Sequence, residues 1–301
     1  MKIIVTGASG LVGSSLVPSF LGRGHEVTQL VRRKSAGKVA GVREVEWQPA
    51  RGEVDAAALE GYDAAVHLAG ENITGGRWTQ EKKRRIRDSR VQSTRLLAET
   101  LARLNAKPRV LVSASAIGYY GERGDELLTE ESAAGEGFLA DVCREWEAAA
   151  QAAIDAGVRT VFLRFGLILS GEGGALVKML LPFKLGLGGK VGSGRQFYSW
   201  VTIDDVVEII HFALANDALR GAVNVVAPEA ATNAEFTKAL GRALGRPTIL
   251  PAPAFGLRLA FGEMADALLL ASERVAPERL RQAGYQFKYP TLDGALQHVL
   301  K

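Results

Sequence analysis

The chain has 301 residues, 47% of them hydrophobic and 23% charged, with a formal net charge of +4. This is the ordinary composition of a soluble globular protein, and the length suits one large α/β unit or two unequal lobes. The single cysteine, Cys143, excludes a disulfide framework and favours a reducing compartment, while the modest positive charge fits an anionic ligand without requiring one.

MKIIVTGASG runs straight into a strand and a glycine turn with no signal-peptide pattern, so a cytoplasmic location is expected. KIIVT (2–6) reads as a strand and LVGSSLVPSFLGRG (11–24) as a helix. EVTQLV (26–31), VREVEW (42–47) and DAAVHLAG (63–70) read as further strands. A long helix is expected over 79–104, with apolar Ile86, Val91, Leu97 and Leu101. Its basic run KKRRIR (82–87) reads as a solvated helix face, since it lacks the interleaved aromatics of a nucleic-acid surface. RVLVSAS (109–115) is the next strand, 137–157 a helix and RTVFLRFGLIL (159–169) a strand. This rhythm predicts a parallel sheet covered by helices on both faces, with ligands at the carboxyl ends of its strands.

Beyond residue 170 the texture changes. GLGGKVGSG (186–194) is a glycine-rich connection, IDDVVEIIHFAL (203–214) a helix and AVNVVAP (222–228) one more strand. Thr232 and Glu235 stand at capping-box spacing and open another helix. The stretch 255–272 is apolar but carries Arg258, Glu263 and Asp266, which argues against a membrane span. The expected fold is an α/β, Rossmann-type doubly wound parallel sheet with a smaller C-terminal lobe. Residues 1–170 form the first domain, with 222–228 available to its sheet, and 171–301 form the second.

TGASGLVG (6–13) follows a strand and opens a helix, with glycines at 7, 10 and 13. In that context Gly7, Gly10 and Gly13 allow a tight turn and close approach of backbone to a pyrophosphate; Thr6, Ser9, Leu11 and Val12 complete the candidate contacts. An NAD-preferring site would carry an acid at the end of the second strand. Here the strand ends in Arg32 and Arg33, which would attract the 2′-phosphate of NADP, so NADP is expected over NAD.

TGASGLVG, HLAGEN (67–72), VSAS (112–115), LRFG (163–166) and SWVTIDDVV (199–207) stand in the order of an extended short-chain dehydrogenase/reductase, which the chain resembles over nearly its whole length. Arg77-Trp78, DSRVQST (88–94), IGYYG (117–121) and GYQFKYPTLDGAL (284–296) resemble an atypical subgroup of NAD(P)-dependent epimerase/dehydratases, the nucleoside-diphosphate-sugar-epimerase-like proteins with a short C-terminal domain of unknown function. The resemblance implies a small-molecule substrate. It also implies a serine, and a tyrosine and lysine four residues apart on one helix, the lysine lowering the phenol's pKa. That helix has neither: taking Glu147 as the usual downstream acid puts Leu139 and Cys143 at the two positions, and a shift by one gives Phe138 and Val142.

Ser113, Ser115, Tyr119 and Tyr120 are therefore the candidate proton-handling residues. Leu68, Ala69, Gly70 and Glu71 form the small-residue turn that should lie under the cofactor, with Arg164 and Arg90 as further cofactor contacts. Arg90 replaces the asparagine of relatives and could supply a fixed charge near the nicotinamide. Glu71 could act as a base if desolvated, or could be a solvated loop carboxylate. Asn72, Arg195, Tyr198 and Trp200 are candidate substrate contacts, with a lobe-interface role as the competing reading for the last three. His67 reads as a core residue, and His25, His211 and His298 are too scattered for a metal site. The implied function is an NADP-dependent oxidoreductase or epimerase; a non-catalytic NADP sensor is its rival. Nucleic acid and membrane are not expected partners, and apolar helices such as 96–104 would permit a homodimer.

Overall fold

A computed structural model describes residues 1–34 and 40–301. In the first half, β1 (Lys2–Thr6), α1 (Leu11–Gly22), β2 (Glu26–Val31), β3 (Val42–Gln48) and β4 (Glu53–Val54) are followed by β5 (Ala64–His67), α2 (Gln80–Arg103), β6 (Val110–Ala116), β7 (Leu127–Leu128), α3 (Phe138–Ala148), α4 (Gln151–Asp155) and β8 (Arg159–Phe165). Then come β9 (Leu167–Leu169), α5 (Gly174–Lys184), β10 (Phe197–Tyr198), β11 (Trp200–Thr202), α6 (Ile203–Ala215) and β12 (Gly221–Val225). The chain ends with β13 (Ala231–Thr232), α7 (Asn233–Leu244), α8 (Ala254–Phe261), β14 (Arg274–Val275), α9 (Glu278–Gln282) and α10 (Leu292–Val299).

The main sheet has eight strands in the order β12-β8-β6-β5-β1-β2-β3-β4, parallel throughout except for the β3–β4 pair. Alternate residues of each central strand enter separate cores on its two faces: Ile3 and Val5 pack with α1 and α6, and Ile4 with α2 and α4. A third core joins Leu169, Phe183, Trp200, Phe236 and Leu296 at the C-terminal end. Such a parallel sheet gathers its strand ends on one edge, where a ligand can meet several loops at once.

The expected strand over 159–169 is interrupted at Gly166. A Cβ there would lie 2.4 Å from the Ser199 carbonyl oxygen, and Leu167 N–H donates to that same oxygen at 2.8 Å. The break lets β9 leave the sheet and pair with β11. The helix expected over 137–157 divides into α3 and α4 around Ala149–Ala150. Helix α5 was not among the expected elements. It buries Leu176 and Leu180 but leaves Val177 and Leu181 38% and 66% exposed, so no polar stripe marks its period.

Two features of α2 follow from its packing. The leucines of helix segment 96–104, Leu97, Leu101 and Leu104, are buried within this chain's own core. Within KKRRIR, Arg84, Arg85 and Arg87 are exposed, as a solvated face requires, whereas Lys82 is only 6% exposed; Lys82, Lys83, Arg85 and Arg87 are each paired with a carboxylate. Among the described residues no helix is long and apolar enough to cross a membrane.

Candidate functional site

The glycine turn between β1 and α1 is shaped by contacts that no side chain could share. Gly7 has φ +68°, and a Cβ on it would lie 2.6 Å from the Leu68 carbonyl carbon. A Cβ on Gly13 would lie 2.4 Å from the Gly7 carbonyl oxygen. Gly10 N–H closes the turn on Gly7 O at 3.0 Å. Helix α1 then begins with no side-chain cap and no acid in its first turn. Its leading N–H groups are thus available to an anion, reinforced by the helix dipole. Ser9 and Gly10 are exposed at the turn, while Leu11 and Val12 are half-buried.

Thr6 braces the turn from below. Its Oγ1 accepts from Leu68 N–H (3.1 Å) and Ala69 N–H (3.2 Å), so its own proton goes to His67 Nδ1 at 2.8 Å. His67 is therefore the Nε2–H tautomer, donating to Ser93 Oγ at 3.2 Å, while Ser93 donates to Ser89 O. Burial lowers the His67 pKa to about 3, so it is a neutral core residue. Its ordinary value is about 6.5. Above that pH it is neutral whether folded or unfolded. Below it, only the unfolded chain takes up the proton, so stability is lost as pH falls toward 3. His67→Gln should flatten the fall in unfolding free energy between pH 6.5 and 4 by up to about 1.4 kcal/mol per pH unit. Urea unfolding at several pH values measures this; an unchanged slope would show that His67 does not carry it.

Arg32 and Arg33 are exposed at the end of β2, and neither makes an ion pair among the described residues. Gln48 Nε2 fixes the Arg32 carbonyl at 2.8 Å and so orients the turn. Across the glycine loop, the β5 turn is held by α2. Ser89 Oγ accepts from Glu71 N–H at 3.0 Å, and Arg90 Nη1 donates to Glu71 O at 3.1 Å. A Cβ on Gly70 would lie 3.2 Å from the Arg90 guanidinium carbon, which lies 5.0 Å from the centre of the Trp146 ring. Burial lowers the Arg90 pKa, but no carboxylate among the described residues pairs with it; its positive charge faces the turn. The Glu71 carboxylate is paired with Lys82 Nζ at 2.7 Å, which holds its pKa below the usual range. That pairing leaves Glu71 ionised and weakly basic. Asn72 Oδ1 closes an Asx turn on Thr74, accepting from its N–H and hydroxyl at 2.9 Å each.

At the end of β6 the four candidate proton carriers separate. Ser113 is fully buried in register with His67, with a long 3.4 Å bond to Ala114 O. Ser115 is in register with Arg164, and both reach Glu147 of α3. Ser115 donates to Glu147 at 2.7 Å, and Arg164 makes two bonds to the carboxylate at 2.8 Å each. Arg164 also donates to Tyr120 OH at 2.9 Å, and Tyr120 to Asn224 Oδ1 at 2.7 Å. Burial alone would lower the Arg164 pKa; Glu147 more than reverses this and holds it raised. Burial raises the pKa of the Tyr120 phenol. Ser115, Tyr120 and Arg164 thus form one buried ion-pair network. Tyr119 is half-buried, with the Arg164 guanidinium 3.4 Å above its ring.

Leu139 of α3 packs on Gly118, and Cys143 is 3% exposed. Burial pushes the Cys143 thiol up to about 12, so it does not replace a catalytic lysine. On the substrate side Arg195 is exposed, whereas Trp200 is 1% exposed inside the C-terminal core. Tyr198 OH donates to Leu269 O at 2.9 Å, and burial pushes its pKa up to about 12. One group near this edge had no mark in the sequence: Glu273, just before β14, whose carboxyl lies within electrostatic reach of Cys143. A groove of about 750 Å³ lined by Ser15, Glu208, Lys288 and His298 lies apart and holds none of these residues.

Residues 3–226 match the NAD dependent epimerase/dehydratase family, and residues 252–299 match a domain of unknown function, DUF1731. The chain is 43% identical to an epimerase family protein of Mycobacterium bovis, over 99% of this chain and 97% of that one. It is 37% identical to the human epimerase family protein SDR39U1, over the full length of both. A crystal structure of that human protein with NADPH superposes with a TM-score of 0.90 at 36% identity, covering 100% of this chain and 99% of that chain. A structure described as the nucleoside-diphosphate sugar epimerase from Corynebacterium glutamicum gives a TM-score of 0.82 at 38% identity, covering 100% of this chain and 58% of that chain.

Proposed function

The chain belongs to the NAD dependent epimerase/dehydratase family, and from that premise we propose that it is an NADP(H)-dependent oxidoreductase or epimerase acting on a small polar molecule without the family's tyrosine–lysine pair. The observation that carries this reading is the pair of exposed arginines, Arg32 and Arg33, which make no ion pair among the described residues and stand at the end of β2 beside an uncapped helix N-terminus. The NADPH in the human relative's structure supports the choice of cofactor.

The residues present fit a dinucleotide. The cradle around Gly7 and Gly13 has room only for backbone, and the first turn of α1 offers N–H groups to the diphosphate. Arg32 and Arg33 suit the 2′-phosphate. Leu68, Ala69 and Gly70 follow β5, and Arg90 places a fixed positive charge behind Gly70. When bound, the nicotinamide would donate or accept a hydride. In this reading residues 1–170, extended by β12, hold the cofactor, and 171–301 close the substrate side.

Calorimetry tests the reading. NADPH should bind about 10- to 100-fold more tightly than NADH, the value of a charge-assisted phosphate contact. An Arg32→Ala/Arg33→Ala variant should bring the two to near-equal affinity. Equal affinity in the wild type would overturn the assignment. A second reading, a cofactor-bound sensor, draws on Leu139 and the buried Cys143 at the two acid–base positions. Tight NADPH binding, with deuterium at nicotinamide C4 never reaching any acceptor in a carbonyl panel, would favour it.

A further inference from the structure

We propose that the face built from α5 and α8 docks onto an anionic lipid surface, its leucines and phenylalanines entering the interface and its lysines and arginines meeting the headgroups. The inference stands independently of the cofactor reading. Twelve large hydrophobic side chains are exposed among the described residues, and nine of them fall within 177–187 and 249–261. Scattered singly they would need no explanation; gathered on two neighbouring segments they mark an interaction site.

Helix α5 is apolar on two faces. Leu176, Leu180 and Phe183 enter the C-terminal core, while Val177, Leu181, Lys184 and Leu185 recur at helical spacing along a second face in solvent. Helix α8 goes further: none of its eight residues is buried, although six are apolar. Phe255 and Leu259, one turn apart, are 74% and 77% exposed. An apolar helix belongs in a core or against a partner, and this chain supplies no core for it. Main-chain bonds tie the two segments together. Ala252 N–H donates to Lys190 O and Gly192 N–H to Ala252 O, both at 2.9 Å. At its far end α8 is held through polar groups, Arg77 Nη2 donating to Leu259 O at 2.6 Å and Lys83 pairing with Glu263 at 2.5 Å. Its apolar side chains are left to solvent.

Charge identifies the occupant. Residues 173–203 and 244–262 carry six cations, Lys178, Lys184, Lys190, Arg195, Arg246 and Arg258, and no acid, in a chain whose whole net charge is +4. All six are exposed, and Lys184, Lys190, Arg195 and Arg246 make no ion pair among the described residues. A second copy seated here about a two-fold axis would set these cations against their own copies, which disfavours self-association. An anionic bilayer asks for what the face supplies: exposed apolar side chains for the acyl boundary and free cations for the headgroups. Arg258, Glu263 and Asp266 argue against a span over 255–272, but a helix lying along the surface keeps such charges in water.

Flotation of the full chain with vesicles tests this. Phosphatidylcholine vesicles containing about one-third phosphatidylglycerol should carry the protein up a density gradient. Phosphatidylcholine alone should bind it at least about 30-fold more weakly, and raising salt from about 0.1 to about 1 M should release it. Lys184→Gln/Lys190→Gln/Arg246→Gln should weaken binding to the anionic vesicles about 100-fold. Phe255→Ser/Leu259→Ser should weaken it about 30-fold. All five positions are exposed, so both variants should keep the wild-type Tm. No flotation, equal flotation on uncharged vesicles, or binding that either variant leaves within about threefold of wild type overturns the proposal. A dimer in sedimentation equilibrium that Phe255→Ser/Leu259→Ser splits, without flotation, would assign the face to a second copy instead. Capture by immobilised polyglutamate, again without flotation, would assign it to an acidic protein.

Discussion

Glu147→Gln should lower the unfolding free energy by about 3–5 kcal/mol, the cost of leaving one member of a buried ion pair without its partner. Arg164 and Glu147 are only 5% and 13% exposed, so solvent screens the pair weakly. Losing the carboxylate charge strands the guanidinium between Tyr119 and Tyr120, and Ser115 loses a charged acceptor. For a chain of this size the loss corresponds to a Tm drop of about 10 °C. Calorimetry measures it, and a Glu147→Leu/Arg164→Leu variant should recover most of it, because an apolar pair removes both desolvation costs. A single-variant loss below about 1 kcal/mol would show that the network is dispensable.

Gly13→Ala should weaken NADPH binding by about 100-fold or more, because the added methyl meets main chain that cannot move aside. Its Cβ would lie 2.4 Å from Gly7 O and 2.6 Å from Ala8 Cα, so the turn must open and carry the first N–H groups of α1 away from their common target. Gly22→Ala on the same helix is the control: nothing lies within 4 Å of the position a Cβ would take. That variant should bind NADPH as the wild type does and gain up to about 1 kcal/mol of helix stability. Calorimetry with both proteins checks the contrast, and equal affinity for Gly13→Ala would remove the glycine turn from the binding site.

These two expectations differ in how far the sequence reveals them. The glycine spacing, the strand before it and the helix after it lie within one short stretch, so the turn and its ligand class are legible directly. The same holds for Arg32 and Arg33, which sit where β2 ends as expected. Arg164 is harder. Expected among the cofactor contacts, it bonds to Glu147, 17 residues away, and to Tyr120, 44 residues away. Ser115 and Tyr120 stand in the expected loop, but their hydroxyls turn into the protein because Glu147 and Asn224 receive them there. Trp200, expected at a substrate, is instead part of a core that forms only when β9 leaves the main sheet at Gly166.

By itself the sequence determined the alternation of strands and helices, the dinucleotide turn, the absence of an acid after β2 and the loss of the tyrosine–lysine pair. Each is a local signal, set by backbone sterics or by residue type at a short spacing, and survives without knowledge of the rest of the chain. Only the tertiary structure decided which polar side chains are spent on one another and which remain free. Sheet order brings β6 beside β8, the return of the chain after β11 sets Ser199 against Glu273, and Glu122 meets Ser272 across 150 residues. Glu147 meets Arg164, 17 residues further on, because α3 packs against β6 beside β8, and nothing in the residues flanking Glu147 encodes that pairing.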